Sequence, residues 1–452
     1  MRVSAYTRSR DCDGEEPTVE SWTYLKRPVR ADGPVEPAVA QRVSEMLLDI
    51  ERGGIDAIRR YSRELDGWDP PELAIGEDEI RRAPDVVEPA FRDAFELAMD
   101  GVRTFAELQR TTLVDMEWEP QPGVVVGQRQ VPIERVGSYL PGGRYPLVSS
   151  PLMSVLVPKV AGVDRVVTCT PPSPGGAGVD PAMVYAASAC GADAIFALGG
   201  VPALAGMAFG IEGMGPVDMI CGAGNQFVAE AKRQLYGRVG IDLLAGPSEV
   251  AVICDESCDP ELVAADLLAQ AEHGPNSPAF LITTDAGTGE AVLAEIERQL
   301  PLLRTHETAE AAWRDYGVAV LCTTREEAVA VSDEIACEHL EVHTEDDGWY
   351  HEHLRNYGSL FLGSRATVAY SDKGMTGTNH TLPTRRSARY TGGLSVAKFL
   401  KTLTFQRLTS DDATLRIAPA VVHFDRMDRL HGHELTAAKR LERAGGTVPP
   451  EA

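Results

Sequence analysis

The sequence of 452 residues predicts an α/β protein built on parallel sheets, with a helical C-terminal arm. Three observations carry that prediction. Between residues 135 and 255, short apolar runs end in Gly or Pro and alternate with helix-length segments, the rhythm of parallel βαβ units. The alternation resumes after Asp259-Pro260 and extends to about residue 385. Beyond Gly392 the pattern turns charged and helical.

Residues 1–20 are polar and mixed in charge and are expected to form a flexible lead-in. Over 35–61, Val39, Val43, Met46, Leu47, Ile50, Ile55 and Ile58 recur at mostly three- and four-residue steps, which predicts an amphipathic helix broken at Gly53-Gly54. A second helix is expected over 86–109, with Phe91, Phe95, Leu97, Met99, Val102, Phe105 and Leu108 on or near one side. Strands at 135–139, 165–170, 194–198, 217–221 and 250–254 alternate with crossover helices at 155–161, 181–189, 202–209 and 227–236, and Pro158 kinks or shortens the first of these. Asp259-Pro260 makes an N-cap and first-turn pair for a helix over 261–273, which Gly274-Pro275 stops. Strands at 279–283 and 318–322 follow, with helices near 289–300 and 325–335. No internal repeat is evident.

Acidic residues outnumber basic ones 67 to 43, and the net charge of −24 repels phosphate backbones and anionic headgroups, which argues against nucleic-acid binding. Lys occurs only seven times. High acidity with scarce Lys points to a halophilic protein in a salt-rich cytoplasm, or to an ordinary acidic enzyme with an Arg-rich coding bias. The eight Cys form no CxxC pair and read as small buried residues. The N-terminus lacks an apolar signal core and no run of about 18 apolar residues occurs, so a soluble, cytoplasmic protein is expected.

Strand ends carry Gly-rich turns at Leu140-Pro141-Gly142-Gly143, Gly199-Gly200 and Gly222-Ala223-Gly224-Asn225, where ligands of open α/β sheets bind. The turn at 222–224 opens a helix, so its backbone N–H groups suit a pyrophosphate or simply a tight turn. Gln270 and His273, three residues apart at a helix end, can share a metal ion or form a solvated terminus. Adjacent Glu338 and His339 can divide proton work. Ser371-Asp372-Lys373 and Gly377-Thr378-Asn379-His380 add a loop dense in donors and acceptors.

Together, RVGSYLPGG at 135–143, AGPSE at 245–249, DLLAQAEHG at 266–274, EHLE at 338–341 and GTNHTLPT at 377–384 occur in the order found in the histidinol dehydrogenase family. The chain resembles that family over roughly residues 20–445. The resemblance implies an α/β fold of two Rossmann-like parallel-sheet domains with a helical C-terminal dimerisation arm. The boundaries expected are 21–134 with 248–386 for the first α/β domain, 135–247 for an NAD-binding domain and 387–452 for the arm. It also implies a homodimer with arm exchange and a zinc- and NAD-dependent oxidation of a primary alcohol, through a retained aldehyde, to a carboxylate. By the same resemblance Gln270, His273 and Asp372 match zinc ligands and Glu338 and His339 the acid–base pair. Ser248 and His380 match substrate-side positions, and Tyr139, Gly142, Gly143, Gly224 and Asn225 cofactor contacts.

The departures lie in the arm, LHGHELTAAK at 430–439. Histidinol dehydrogenases carry a Glu there and, five residues on, a His that completes the zinc sphere of the neighbouring subunit. One register puts His431 and Thr436 at those positions, and the other puts His433 and Ala438. Pro202 also replaces a Gln that the family uses near the cofactor. The arm and the segments 309–317, 357–363 and 389–395 look like the sulfopropanediol dehydrogenase branch, whereas Gly246-Pro247-Ser248-Glu249 is the histidinol-type version. The substrate expected is therefore 2,3-dihydroxypropane-1-sulfonate-like, with L-histidinol as the alternative and a catalytically inactive metal-binding or regulatory homologue as a third. His433 of a neighbouring subunit is the expected fourth zinc ligand or anion contact, and Arg385, Arg386 or Arg389 can pair with a sulfonate.

Overall fold

A computed structural model of the chain describes residues 22–30, 37–142, 146–175, 178–244 and 246–450. The lead-in expected at 1–20 lies outside them. The chain divides into two compact units, one of residues 1–110 with 133–399 and the other of 111–132 with 400–452.

In chain order the first unit opens with β1 (Thr23–Lys26), α1 (Pro37–Asp66), α2 (Glu77–Val86) and α3 (Pro89–Thr111). The second unit takes the next hairpin, β2 (Met116–Gln121) and β3 (Val124–Pro132). Then come β4 (Arg135–Tyr139), a π-type turn at Leu152–Leu156 running into α4 (Val157–Ala161), β5 (Arg165–Thr170), α5 (Pro181–Ala189) and β6 (Ala194–Ala197). α6 (Gly200–Phe209), β7 (Met219–Cys221), α7 (Gln226–Leu235) and β8 (Gly240–Ile241) complete that stretch. β9 (Val250–Cys254), α8 (Pro260–Ala271), β10 (Ala279–Thr283), α9 (Ala286–Gln299), α10 (His306–Tyr316) and β11 (Val318–Leu321) follow. α11 (Arg325–Ile335), β12 (His339–His343), α12 (Asp347–His353), β13 (Ser359–Leu362) and α13 (Val368–Asp372) close the first unit's regular elements. The second unit resumes with β14 (Leu400–Leu408), α14 (Asp411–Asp428) and α15 (His431–Arg443).

Strands β6-β5-β4-β7-β8 form one sheet, in that order and all parallel. A second sheet runs β1-β11-β10-β9-β12-β13, parallel except for β1, which adds antiparallel to β11. Each parallel set starts in the middle, grows to one side, then crosses back. Each therefore has a switch point, between β4 and β7 and between β9 and β12, where open α/β sheets form crevices.

Patterning explains the layers. α1 buries Val39, Val43, Met46, Leu47 and Ile50, then Ala57, Ile58 and Tyr61, on one stripe, and Gly54 at φ 56° and ψ −134° kinks it as its Gly pair predicts. α6 is buried from Val201 to Ala208 because α1 covers the side turned away from the first sheet. Asp259 caps α8 by accepting a hydrogen bond from the Glu261 amide, with Pro260 at the first position as the sequence predicts. The single helix expected over 86–109 is preceded by a separate α2, and β12 and β13 extend the second sheet beyond the strands read from sequence.

In the second unit, β14-β3-β2 is an antiparallel sheet with Leu400 opposite Pro132 and Leu408 opposite Val124. The stretch after Gly392 is thus a nine-residue strand before it is helical. That corrects the expectation of a purely helical arm: the strand is almost wholly exposed, so no apolar alternation marks it. α14 and α15 pack together, and Arg426 joins them through an ion pair to Glu434 at 2.6 Å. Among the described residues no helix is long and apolar enough to cross a membrane. The seven described cysteines are free, six of them buried.

Candidate active site

A cavity of ≈ 140 Å³ in the first unit gathers residues from both parallel sheets. Pro141 and Gly222 reach it from the carboxyl ends of β4 and β7, the switch point of the first sheet. From the second sheet come Ser248, just before β9, and Glu338 and His339, at the start of β12. The carboxyl-end rule thus holds for the first sheet, whereas the second contributes its amino ends. His273, Asp372, Lys373 and His380 complete the polar lining.

Glu338 and His339 are held by one backbone position. The Glu249 amide donates to Glu338 Oε2 at 3.0 Å, and the Glu249 carbonyl lies 3.1 Å from His339 Nδ1. With Nδ1–H donating there, the lone pair of Nε2 is free, and this atom is buried without a partner, 4.0 Å from Asp372 Oδ1. Burial lowers the His339 pKa despite the opposing pull of Asp372, so the ring is neutral at pH 7. Burial raises Glu338 well above the carboxylate range, with the charges of Glu249 and Asp372 adding to it. A neutral imidazole with a free lone pair is the state a general base needs, whereas Glu338 must first lose its proton before it can take one from water.

Gln270 lies on the last turn of α8 and His273 three residues on, as the spacing predicts. His273 Nε2 stands 3.9 Å from Asp372 Oδ2. Gln270 is buried and its Nε2 has no partner, so the amide is not committed elsewhere. One imidazole, one carboxylate and one amide suit zinc by donor type, so the residues fit the ion. His380 is half-buried; desolvation lowers its pKa to about 4, so it stays neutral, with Nδ1 unpartnered. Ser371 Oγ, 3.2 Å from Thr378 Oγ1, ties its loop to α13.

On the first sheet, Gly222 has φ 111°, and a Cβ there would collide with the Tyr139 carbonyl, so the turn requires glycine. A buried ion pair fixes that turn: Lys232 Nζ donates to the Gly222 carbonyl at 2.9 Å and pairs with Asp242, whose other oxygen accepts from the Gly222 amide at 2.8 Å. Tyr139 is buried, its hydroxyl accepting from the Gly200 amide at 3.2 Å, and burial pushes its pKa up to about 12. Gly142 lines a second cavity of ≈ 170 Å³ with Thr170 and Pro171, at the carboxyl end of β5. Gly143 lies outside the described residues. Gly224 packs beside Val228, while Asn225 caps α7 by accepting from the amides of Phe227 and Val228. Pro202 is buried in α6.

The sequence profile described as histidinol dehydrogenase matches residues 30–441. The chain belongs to the histidinol dehydrogenase family. It is 47% identical over 407 residues to a histidinol dehydrogenase homolog of Shouchella clausii, covering 90% of this chain and 95% of that protein. A sulfopropanediol 3-dehydrogenase of Ruegeria pomeroyi is 44% identical, over 92% of this chain and 96% of that one. The crystal structure of histidinol dehydrogenase from Elizabethkingia anophelis superposes with a TM-score of 0.86 at 32% identity, covering 94% of this chain and 96% of that chain.

The histidinol dehydrogenase family comprises NAD-dependent dehydrogenases that act on CH–OH groups and use zinc. Its motifs here meet in one cavity, but sequence reasoning missed three parts. Glu249 acts through its backbone, which no side-chain pattern reports. Lys232 had a readable signal: it falls on the stripe Val228, Ala231 and Leu235 of α7, where a lysine is buried only if paired. Lys373 reads in the sequence only as part of a polar cluster, yet among the described lining residues it is the one lysine or arginine. Of the arginines expected to meet an anion, Arg386 pairs with Glu334, and Arg385 and Arg389 are exposed. His433 is exposed on α15, in the second unit.

Proposed function

We propose that the chain oxidises a small anionic primary alcohol, of the 2,3-dihydroxypropane-1-sulfonate kind, to the carboxylate, with two NAD reduced per substrate. The observation that carries this reading is His339: neutral, anchored through Nδ1 on Glu249, and presenting an unpartnered Nε2 beside Glu338 and Asp372. Gln270, His273 and Asp372 would hold zinc, and the turns at Gly142, Gly222 and Gly224, with Tyr139 and Asn225, would receive NAD. When bound, zinc would polarise the substrate oxygen and NAD would accept hydride from the alcohol and again from the hydrated aldehyde.

The chain's own residues would do the proton work. His339 Nε2 takes the hydroxyl proton as the alcohol becomes an aldehyde. Glu338, once ionised, is a strong base because its pKa is raised, and it takes a proton from the water that adds to the aldehyde carbon. Ser248 and His380 flank the substrate, and the Lys373 ammonium pairs with its anionic group. His433, from the C-terminal arm of a second copy, supplies the fourth zinc ligand or a further anion contact.

The alternative, L-histidinol, is favoured by the histidinol-type segment that places Ser248 on the cavity wall. The deciding experiment incubates zinc-loaded protein with NAD and each alcohol and counts NADH. Two NADH per dihydroxypropanesulfonate support the reading; turnover with L-histidinol alone transfers the function to histidine synthesis. No turnover with either sinks both and leaves the inactive homologue.

A further inference from the structure

Strand β12 turns three titratable side chains onto one face. His339, Glu341 and His343 alternate with Leu340 and Val342, which join the apolar layer on the other side of the sheet. Their register partners on β9 are Val250, Val252 and Cys254, packed against Val263, Ala264 and Leu267 of α8. Only His339 of the three lines the cavity. Glu341 and His343 are therefore polar groups in an otherwise apolar layer, costly unless they are partnered.

Their partners lie on different elements. His343 Nε2 is 3.3 Å from Glu341 Oε2 and 3.8 Å from Asp266 Oδ2, which α8 contributes. The other Glu341 oxygen accepts from the Val368 amide, at the start of α13, at 3.0 Å. The other Asp266 oxygen accepts from the hydroxyl of Thr367, the cap of that helix, at 2.8 Å. Burial and the nearby Glu341 charge push Asp266 up to about 7, which lets it share a proton with Glu341.

Each anchor sits just behind a residue of the candidate zinc and proton-transfer set. Asp266 is one helical turn before Gln270, Glu341 is two residues beyond His339 on the same face, and Val368 is one turn before Asp372. We propose that Asp266, Glu341 and His343 form a positioning network that locks α8, β12 and the start of α13 together and so presets the spacing of Gln270, His273 and Asp372 around zinc. This inference rests on the zinc reading above. It adds that the ligand set depends on three buried residues that touch neither ion nor substrate.

The test is zinc affinity of the full-length apoprotein, measured by chelator competition at a temperature where circular dichroism shows every variant folded. Asp266→Ala and Glu341→Ala are expected to weaken zinc binding by about ten- to a hundredfold, the usual cost of losing outer-shell partners. Asp266→Asn keeps an acceptor for Thr367 and gains a donor for Glu341, so it is expected to retain wild-type affinity within about threefold. Rescue by Asn but not Ala separates positioning from general stabilisation.

Folded Asp266→Ala and Glu341→Ala proteins that bind zinc as wild type does, with two NADH still released per alcohol, would overturn the network and leave the enzymatic reading standing. Donor atoms of Asp266, Glu341 and His343 lie within 4.8 Å of one another, so zinc per chain is measured as well. Two zinc ions per chain, one of them lost in His343→Ala, would make the trio a metal site and overturn the proposal. A wild-type chain that binds no zinc would overturn both the network and the reading on which it rests.

Discussion

The Glu249 carbonyl lies 3.1 Å from His339 Nδ1 and 3.3 Å from the His339 backbone nitrogen, so one oxygen sets both the ring tautomer and the start of β12. The amide of the same residue holds Glu338. Because β9 and β12 are adjacent parallel strands with His339 opposite Val250, sheet register alone brings the two catalytic candidates to the Glu249 peptide. Their separation is fixed by backbone and not by flexible side chains.

That arrangement separates the two residues' roles. Glu338→Gln should leave the first oxidation intact and stall the second, since an amide cannot take a proton from attacking water. One NADH per alcohol, with aldehyde trapped by semicarbazide, is the expected readout. His339→Asn should slow both oxidations by about 10²- to 10⁴-fold, the range for loss of a general base. Two NADH per alcohol at the native rate in Glu338→Gln would refute this division of labour.

The Lys232–Asp242 pair supports the turn at Gly222 from beneath, with both side chains essentially inaccessible. Lys232→Met removes one partner and leaves a buried carboxylate uncompensated, at an expected cost of about 3–5 kcal/mol in unfolding free energy. The KM for NAD should rise with it, because the Gly222 carbonyl loses its donor and the carboxylate that holds the Gly222 amide loses its counter-charge. A chain destabilised as expected but with native KM for NAD would confine the pair to a structural role.

Much of this architecture was readable and some of it was hidden by its own chemistry. The strands at 135–139, 165–170 and 250–254 ran as apolar blocks and emerged at those bounds. β12 escaped because His339, Glu341 and His343 occupy a face that burial rules reserve for apolar residues. β14 escaped for the opposite reason, since its side chains are mostly exposed. The two parallel sheets repeat the same strand order without any repeat in the sequence, because crossover handedness and strand adjacency constrain topology and not residue identity. In the site, Gln270 and His273 were legible from helical spacing. The grip of Glu249 was not, since peptide groups are the same at every position.

Lys373 offers the cleanest separation of substrates. Among the described residues it is the one lysine or arginine on the cavity wall, in a chain that carries an excess of acid. Lys373→Met should cost a sulfonated alcohol about 1.5–3 kcal/mol of binding, the worth of a hydrogen bond to a charged group, or roughly ten- to a hundredfold in KM. L-Histidinol, a cation, should bind no worse. A KM for dihydroxypropanesulfonate unmoved by the substitution would remove Lys373 from the substrate site.

The buried network also predicts how stability varies with pH. Asp266 carries its proton up to about pH 7 in the folded chain, since burial and then Glu341 oppose its charge, with Thr367 pulling the other way. The unfolded residue releases that proton near its ordinary value of 3.8. Stability from this group is therefore fully present below that value and is lost as pH rises through about 7. His343 acts in the same direction: burial lowers its pKa, but the Glu341 hydrogen bond and charge, with Asp266, raise it overall, so it too favours the folded state when protonated. The groups facing the pair are Glu341 on β12, Thr367 and the Val368 amide at the start of α13, and the Cys258 thiol beyond β9. Urea unfolding of the apoprotein at fixed salt should thus show lower stability at pH 8 than at pH 5. Asp266→Asn, which cannot titrate, should narrow that difference, and an unchanged difference would show that Asp266 is already ionised in the folded chain.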